Sequence, residues 1–233
     1  MTDNRGYRRL DVHYPDGPFD LAEVLAMFRG MRDTAVGTDV GQRMDRATAQ
    51  LASQTLTDDM PSVGGRAPLF SLPNATGAPV SLEQLLVSGP VVLTFYRGIW
   101  CPFCNLAQRA LQQYLPEITQ LGASMAAISL QVPDDSMTMA ERNNLTFEVL
   151  SDVGGTVSKS YGLLFTLPKY LQQIYQDLGH PLPEFNGTDD WTLPIPATFV
   201  IDQAGVVRFR FADPDYTRRA APADILAALR SIT

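Results

Sequence analysis

The chain has 233 residues, 45% hydrophobic and 18% charged, enough for one sizeable core and a small appended unit. Lys and Arg number 18 against 25 Asp and Glu, a net charge of -7 at pH 7, so the basic footprint that phosphate backbones demand is missing and nucleic acid is excluded as a partner. The first thirty residues are charged throughout, with no apolar stretch of signal-peptide type, and no later segment reaches the roughly 18 apolar residues that span a bilayer. The expectation is a soluble cytoplasmic protein without a membrane partner.

In chain order, residues 1–62 read as a helical N-terminal extension. Asp20 and Glu23 have the spacing of a capping box, and Leu21, Val24, Leu25 and Phe28 follow at i, i+3, i+4 and i+7. Asp39 with Gln42 predicts a second helix start, with a weaker stripe through Val40, Met44, Ala47 and Leu51 that Thr57, Asp58 and Asp59 break. A linker carrying Pro61, Gly64, Gly65 and Pro68 leads into residues 63–233. There, apolar β-type runs alternate with helical stretches, the pattern of βαβ units around a largely parallel core sheet. Val91 to Tyr96 is the clearest strand. Leu106, Ala110, Leu111, Leu115 and Ile118 mark a helix that stops near Gly122, and Ala123 to Leu130 forms the next strand. Phe147–Leu150 and Thr198–Ile201 read as strands, Asp202-Gln203-Ala204-Gly205 as a hairpin turn, and Pro222 as the start of a closing helix. Residues 164–195 are an insertion with a helical piece (Tyr170, Leu171, Ile174, Tyr175, Leu178) and then a Pro/Gly/Asp-rich loop, which either walls a groove or serves as a surface or homodimer contact. His180, between Gly179 and Pro181, reads as a loop residue.

The only two cysteines, Cys101 and Cys104, fall at the carboxyl end of the strand 91–96, where open sheets form sites. Two cysteines are too few for a stabilising disulfide framework. Their i, i+3 spacing at a helix start puts both sulfurs on one face within disulfide reach. The free N–H groups and positive dipole end of the helix favour a thiolate there. A thiolate attacks a disulfide sulfur or a peroxide oxygen, and the second thiol closes an internal disulfide. Two other readings stand beside this: half of a zinc site, for which only His13 and His180 are further soft ligands, and inert core filling. No cofactor is predicted.

The segments Thr94-Phe95-Tyr96-Arg97-Gly98-Ile99-Trp100-Cys101-Pro102-Phe103-Cys104, Ala67-Pro68-Leu69-Phe70-Ser71-Leu72, Tyr161-Gly162-Leu163 and Pro196-Ala197-Thr198-Phe199-Val200-Ile201-Asp202 resemble the alkyl hydroperoxide reductase/thiol-specific antioxidant group of peroxiredoxin-like proteins, over about residues 63–233. The resemblance implies an α/β, thioredoxin-like fold, a central mixed sheet flanked by helices. It also implies an antioxidant oxidoreductase that reduces hydroperoxides through a CxxC dithiol/disulfide cycle, with a thioredoxin-like or glutathione reductant. Two departures qualify it. The peroxiredoxin pattern, Pro, three residues, Thr or Ser, two residues, Cys, puts Arg97 at the Pro, Cys101 at the Thr and Cys104 at the peroxidatic position. The Arg that such enzymes carry before a late strand is matched by Pro196, which resembles the cis-proline facing a thioredoxin Trp-Cys-x-x-Cys motif. Thioredoxin logic makes Cys101 the attacking thiol, more exposed at the helix tip, and favours exchange with protein disulfides; peroxiredoxin logic selects Cys104. A redox-sensing interaction protein without catalysis is a third reading. Trp100, Pro196 and Arg97 are the expected groove residues, with Arg97 either lowering a thiolate pKa or merely pairing on the surface, and Tyr96 is assigned to strand packing.

Overall fold

The computed structural model describes residue 15 and residues 19–54 and 59–232. The N-terminal part forms α1 (Leu21–Val36) and α2 (Thr38–Ala52). Asp20 caps α1 as its spacing predicts, its carboxylate accepting the Glu23 N–H at 3.0 Å. The start of α2 differs from the expectation. Gly37, with φ 89°, reverses the chain and occupies the cap, so Asp39 lies inside the first turn and pairs with Arg43 at 3.0 Å instead. His13, Thr57 and Asp58 lie outside the described residues.

The remaining elements are β1 (Ser71–Pro73), β2 (Pro79–Ser81), α3 (Leu82–Ser88), β3 (Val91–Phe95), α4 (Pro102–Gln120), β4 (Ser124–Ser129), α5 (Pro133–Asn143), β5 (Glu148–Ser151), α6 (Thr156–Ser160), β6 (Leu164–Thr166), α7 (Lys169–Asp177), α8 (Leu182–Asn186), β7 (Thr192–Pro194), β8 (Ala197–Ile201), β9 (Val207–Ala212) and α9 (Pro222–Arg230). The central sheet has the order β5-β4-β3-β8-β9. It is mixed: β3, β4 and β5 run parallel, whereas β8 pairs antiparallel with β3 and β9 antiparallel with β8. The parallel core read from the βαβ pattern therefore covers only three strands, because the insertion returns the chain from the opposite end before β8. Within that insertion, β6 and β7 pair antiparallel around α7, and α8 adds a helical turn where a loop is expected.

Helices cover both faces, so every residue of β3 and β8 is buried and the two sides alternate with the strand period. Val92 and Val200 point into a core with Leu106 and Leu111 of α4 and Ile225 and Leu226 of α9. Leu93, Phe95 and Phe199 point into the other, with Tyr161 and Leu82. The N-terminal helices belong to this packing. Leu21 and Leu25 of α1 enter the first core, and Met44 of α2 joins Leu171, Ile174 and Tyr175 of α7 in a third cluster. Each such apolar side chain stabilises the fold by about 1.5–3 kcal/mol relative to exposure. Among the described residues no helix is long and apolar enough to cross a membrane.

Candidate active site

The chain leaves β3 through Tyr96-Arg97-Gly98-Ile99-Trp100 and enters α4 at Cys101, the cap residue, with Pro102 in the first turn. Proline fits there because its φ is already helical and its missing N–H has no partner to lose. Cys104 lies one turn in, its N–H donating to the Cys101 carbonyl at 3.0 Å. The loop is clamped by buried amides. Asn105 Nδ2 donates to the carbonyls of Ile99 (2.7 Å) and Cys101 (2.9 Å), Gln131 Oε1 accepts the Ile99 N–H (2.7 Å), and Asn143 Nδ2 holds Asn105 Oδ1 (2.8 Å).

Both cysteines are free thiols, and both are buried, Cys101 at 2% and Cys104 at 0% exposure. Cys101, expected to be the more exposed and thiolate-like of the two, is buried almost as fully as Cys104, so the cap residue does not stand at an open helix tip. Burial pushes both thiols up, but their surroundings separate them. Against burial, Cys104 receives the hydrogen bond of Cys101 and the positive charges of Arg219 and Arg97, so its pKa falls to about 5. Arg219 Nη2 donates to the Cys104 sulfur at 3.2 Å, and the Arg97 backbone N–H does so at 3.4 Å. Cys101 is held well above the ordinary thiol value by its burial and by the neighbouring Cys104 sulfur. These surroundings favour the charged form at Cys104 and the neutral thiol at Cys101.

Arg97 is not a surface residue. It is 3% exposed, and its Nη2 donates to Tyr175 Oη. Its guanidinium lies over the rings of Tyr216 (4.3 Å), Trp100 (5.1 Å) and Tyr175 (5.7 Å). Its pKa is raised despite burial, chiefly through the charges that Tyr175, Cys101 and Tyr216 can carry, so it stays cationic. Trp100 meets Tyr175 edge-on at 5.5 Å and stacks on His180 at 5.3 Å, which gives the loop histidine a packing role. Gly98 is required by this arrangement, since a Cβ there would collide with the Trp100 indole nitrogen.

Pro196 is buried and borders, with Arg97, Tyr175 and Tyr216, a cavity of about 440 Å³. The lining also includes Met44 and Leu51 of α2 and the β6–α7 segment of the insertion. Its peptide bond is trans, which corrects the cis expectation. The insertion supplies the reason. The chain arrives extended through β7 and Ile195, whose N–H is bonded to the Leu163 carbonyl at 2.8 Å, so no tight turn offsets the ordinary trans preference of about 0.5–1 kcal/mol.

The structure therefore brings Cys101, Cys104, Trp100 and Arg97 together, with Pro196 lining the same cavity as Arg97. It adds Arg219, Tyr175 and Tyr216, which the sequence reading does not assign to the site. Arg219 lies in a loop without hydrophobic period, 115 positions from Cys104. Its one sequence signal is the pair Arg218-Arg219 just ahead of the helix that Pro222 opens. Among the described residues no group of three or more His, Cys, Asp or Glu stands together as a metal site.

The AhpC/TSA family profile matches residues 63–210. A Mycobacterium tuberculosis protein assigned as a peroxiredoxin is 34% identical over 94 residues, 40% of this chain and 61% of that protein, so the match spans less than two thirds of its length. A chloroplastic peroxiredoxin Q of Triticum aestivum is 28% identical over 184 residues, 79% of this chain and 73% of that protein. Among solved structures, the peroxidoxin BcpB of Mycobacterium tuberculosis superposes with a TM-score of 0.60 at 29% identity, covering 74% of this chain and 99% of that one. A reduced 2-Cys peroxiredoxin of Plasmodium vivax has the same fold, with a TM-score of 0.56 at 20% identity over 74% of this chain and 82% of that one.

Proposed function

As the chain belongs to the AhpC/TSA family, we propose that it is a thiol peroxidase in which Cys104 is the nucleophile and Cys101 the resolving thiol. The observation that supports this assignment is the convergence of the Arg219 guanidinium, the Arg97 N–H and the Cys101 thiol on the Cys104 sulfur. The peroxiredoxin register, which puts the reactive sulfur at Cys104, agrees with it, and the burial of Cys101 weighs against exchange with large protein disulfides.

The Cys104 thiolate attacks one oxygen of a hydroperoxide. An S–O bond forms as the O–O bond breaks, the leaving alkoxide or hydroxide takes a proton and departs as alcohol or water, and Cys104 becomes a sulfenic acid. Arg219 and Arg97 stabilise the negative charge that moves from sulfur to the leaving oxygen. Cys101 then gives up its proton and attacks the Cys104 sulfur, which expels the hydroxyl as water and leaves the 101–104 disulfide. An external dithiol of the thioredoxin type, or two glutathione thiols, restores both cysteines by exchange and is oxidised in their place. The cavity is lined by Arg97 and Tyr216 but by neither cysteine.

Stopped-flow oxidation of the reduced protein, followed by tryptophan emission, tests the assignment. Cys104→Ser should abolish the reaction with peroxide. Cys101→Ser should keep a fast first oxidation, accumulate sulfenic acid and then over-oxidise. Retained reactivity in Cys104→Ser with loss in Cys101→Ser would overturn it.

A further inference from the structure

The hairpin of α1 and α2 lies outside the residues that match the family, and so does the loop 213–221 that carries Tyr216 and Arg219. These two segments are bonded to each other. Arg29 of α1 reaches Asp215 Oδ2 at 2.5 Å and Thr217 Oγ1 at 3.1 Å with the same Nη1. Asp215 uses its other oxygen to take the Thr217 N–H (3.0 Å) and hydroxyl (2.7 Å), which closes the turn. Immediately after it, Arg219 Nη1 is fixed by the carbonyls of Tyr216 (2.5 Å) and Arg218 (2.7 Å), and Nη2 is left to reach Cys104. The turn also sets Tyr216, whose ring covers the Arg97 guanidinium and meets Phe103 edge-on at 5.6 Å.

A second tie comes from Arg32, three residues on and on the same side of α1. It bonds both oxygens of Asp45 in α2 (2.7 and 2.9 Å) and the Asp33 carboxylate beside it, and its charge acts on the Tyr216 hydroxyl. Gly41 makes this crossing close enough, because a Cβ there would strike the Asp33 carboxylate.

We infer that α1 is a positioning element of the thiol site: Arg29 and Arg32 hold the loop 213–221 in the arrangement that presents Arg219 to Cys104 and Tyr216 to Arg97. This rests on the reading that Cys104 is the reacting thiolate. The charged and titratable groups around that sulfur come from separate elements: Cys101 from the start of α4, Arg97 from the loop before it, Tyr175 from α7, and Tyr216 and Arg219 from the loop 213–221. Only the last two depend on the tie to α1. The Arg29–Asp215 pair is half-exposed on the arginine side and so contributes little to global stability. Its removal loosens the loop while the fold persists.

The test is a pH titration of thiolate absorbance near 240 nm on the reduced full-length protein, which needs no peroxide. Arg29→Gln and Asp215→Asn should each raise the low thiol midpoint by about half to one unit, roughly a three- to tenfold loss of thiolate at pH 4 and below. Arg29→Lys should restore most of it. Arg43→Gln, which breaks the exposed pair with Asp39 on α2, should leave the midpoint in place. Unmoved midpoints in both Arg29→Gln and Asp215→Asn, or an equal shift in Arg43→Gln, would overturn the positioning role. A parent protein with no low-titrating thiol would instead overturn the Cys104 assignment on which it rests.

Discussion

Replacing Arg219 by Met removes a side-chain cation that hydrogen-bonds the Cys104 sulfur, at 3.2 Å, while keeping the aliphatic stem. A charge-assisted hydrogen bond is worth about 1.5–3 kcal/mol, which at about 1.4 kcal/mol per unit corresponds to about one to two pKa units. The sign follows from charge: removing a cation disfavours the thiolate, so the pKa of about 5 rises to about 6–7. At pH 5.5 the thiolate fraction then falls from about three quarters to about a tenth for a shift of 1.5 units, whereas at pH 8.5 both proteins are almost fully ionised. The assay is the rate of peroxide oxidation across pH 4.5–8.5. A loss confined to the acidic limb reports the pKa effect, and a lowered plateau at high pH reports additional stabilisation of the departing oxygen. An unchanged profile at every pH would refute the role of Arg219.

Three further outcomes follow from the same geometry. Because Cys104 titrates near 5 folded and near 9.0 in the ordinary state, the unfolded chain binds more protons between those values, so its contribution to stability is full above about 9 and is lost as the pH falls towards 5; denaturant midpoints of parent and Cys104→Ser should converge on acidification. Leu25→Ala, at a position 7% exposed in the main core, should cost about 2–5 kcal/mol in chemical unfolding, and a cost near zero would mean that α1 is not part of the folded unit. Gly98→Ala should push the Trp100 indole off its seat against Tyr175 and His180, seen as a red-shifted emission of the reduced protein, and an unchanged spectrum would contradict the contact.

The parts legible in the sequence are those in which a local pattern and the tertiary structure make the same demand. β3 and α4 are an apolar run followed by a helical stripe, and the two cysteines at their junction are placed by that order alone. The hairpin from β8 to β9 and the proline that opens α9 are turn and cap signals of the same local kind. The cap of α2 is misread because a chain reversal needs the positive φ of Gly37 more than it needs a carboxylate cap. The cis expectation at Pro196 fails because β7, paired antiparallel with β6, delivers an extended chain. The charge balance at the site is the least legible part. It depends on Arg219, in an aperiodic loop, and on a buried Arg97 whose aromatic partners come from its own loop ahead of α4, from α7 and from the loop 213–221. No spacing rule connects those segments.

The account turns on which sulfur meets the peroxide. The direct measurement is to treat the reduced protein with one equivalent of hydroperoxide in the presence of dimedone, which captures sulfenic acids, and to locate the adduct by peptide mass spectrometry. The geometry predicts the adduct on Cys104, more abundant when Cys101→Ser prevents the disulfide from forming. An adduct on Cys101, with Cys104 unmodified, would contradict it.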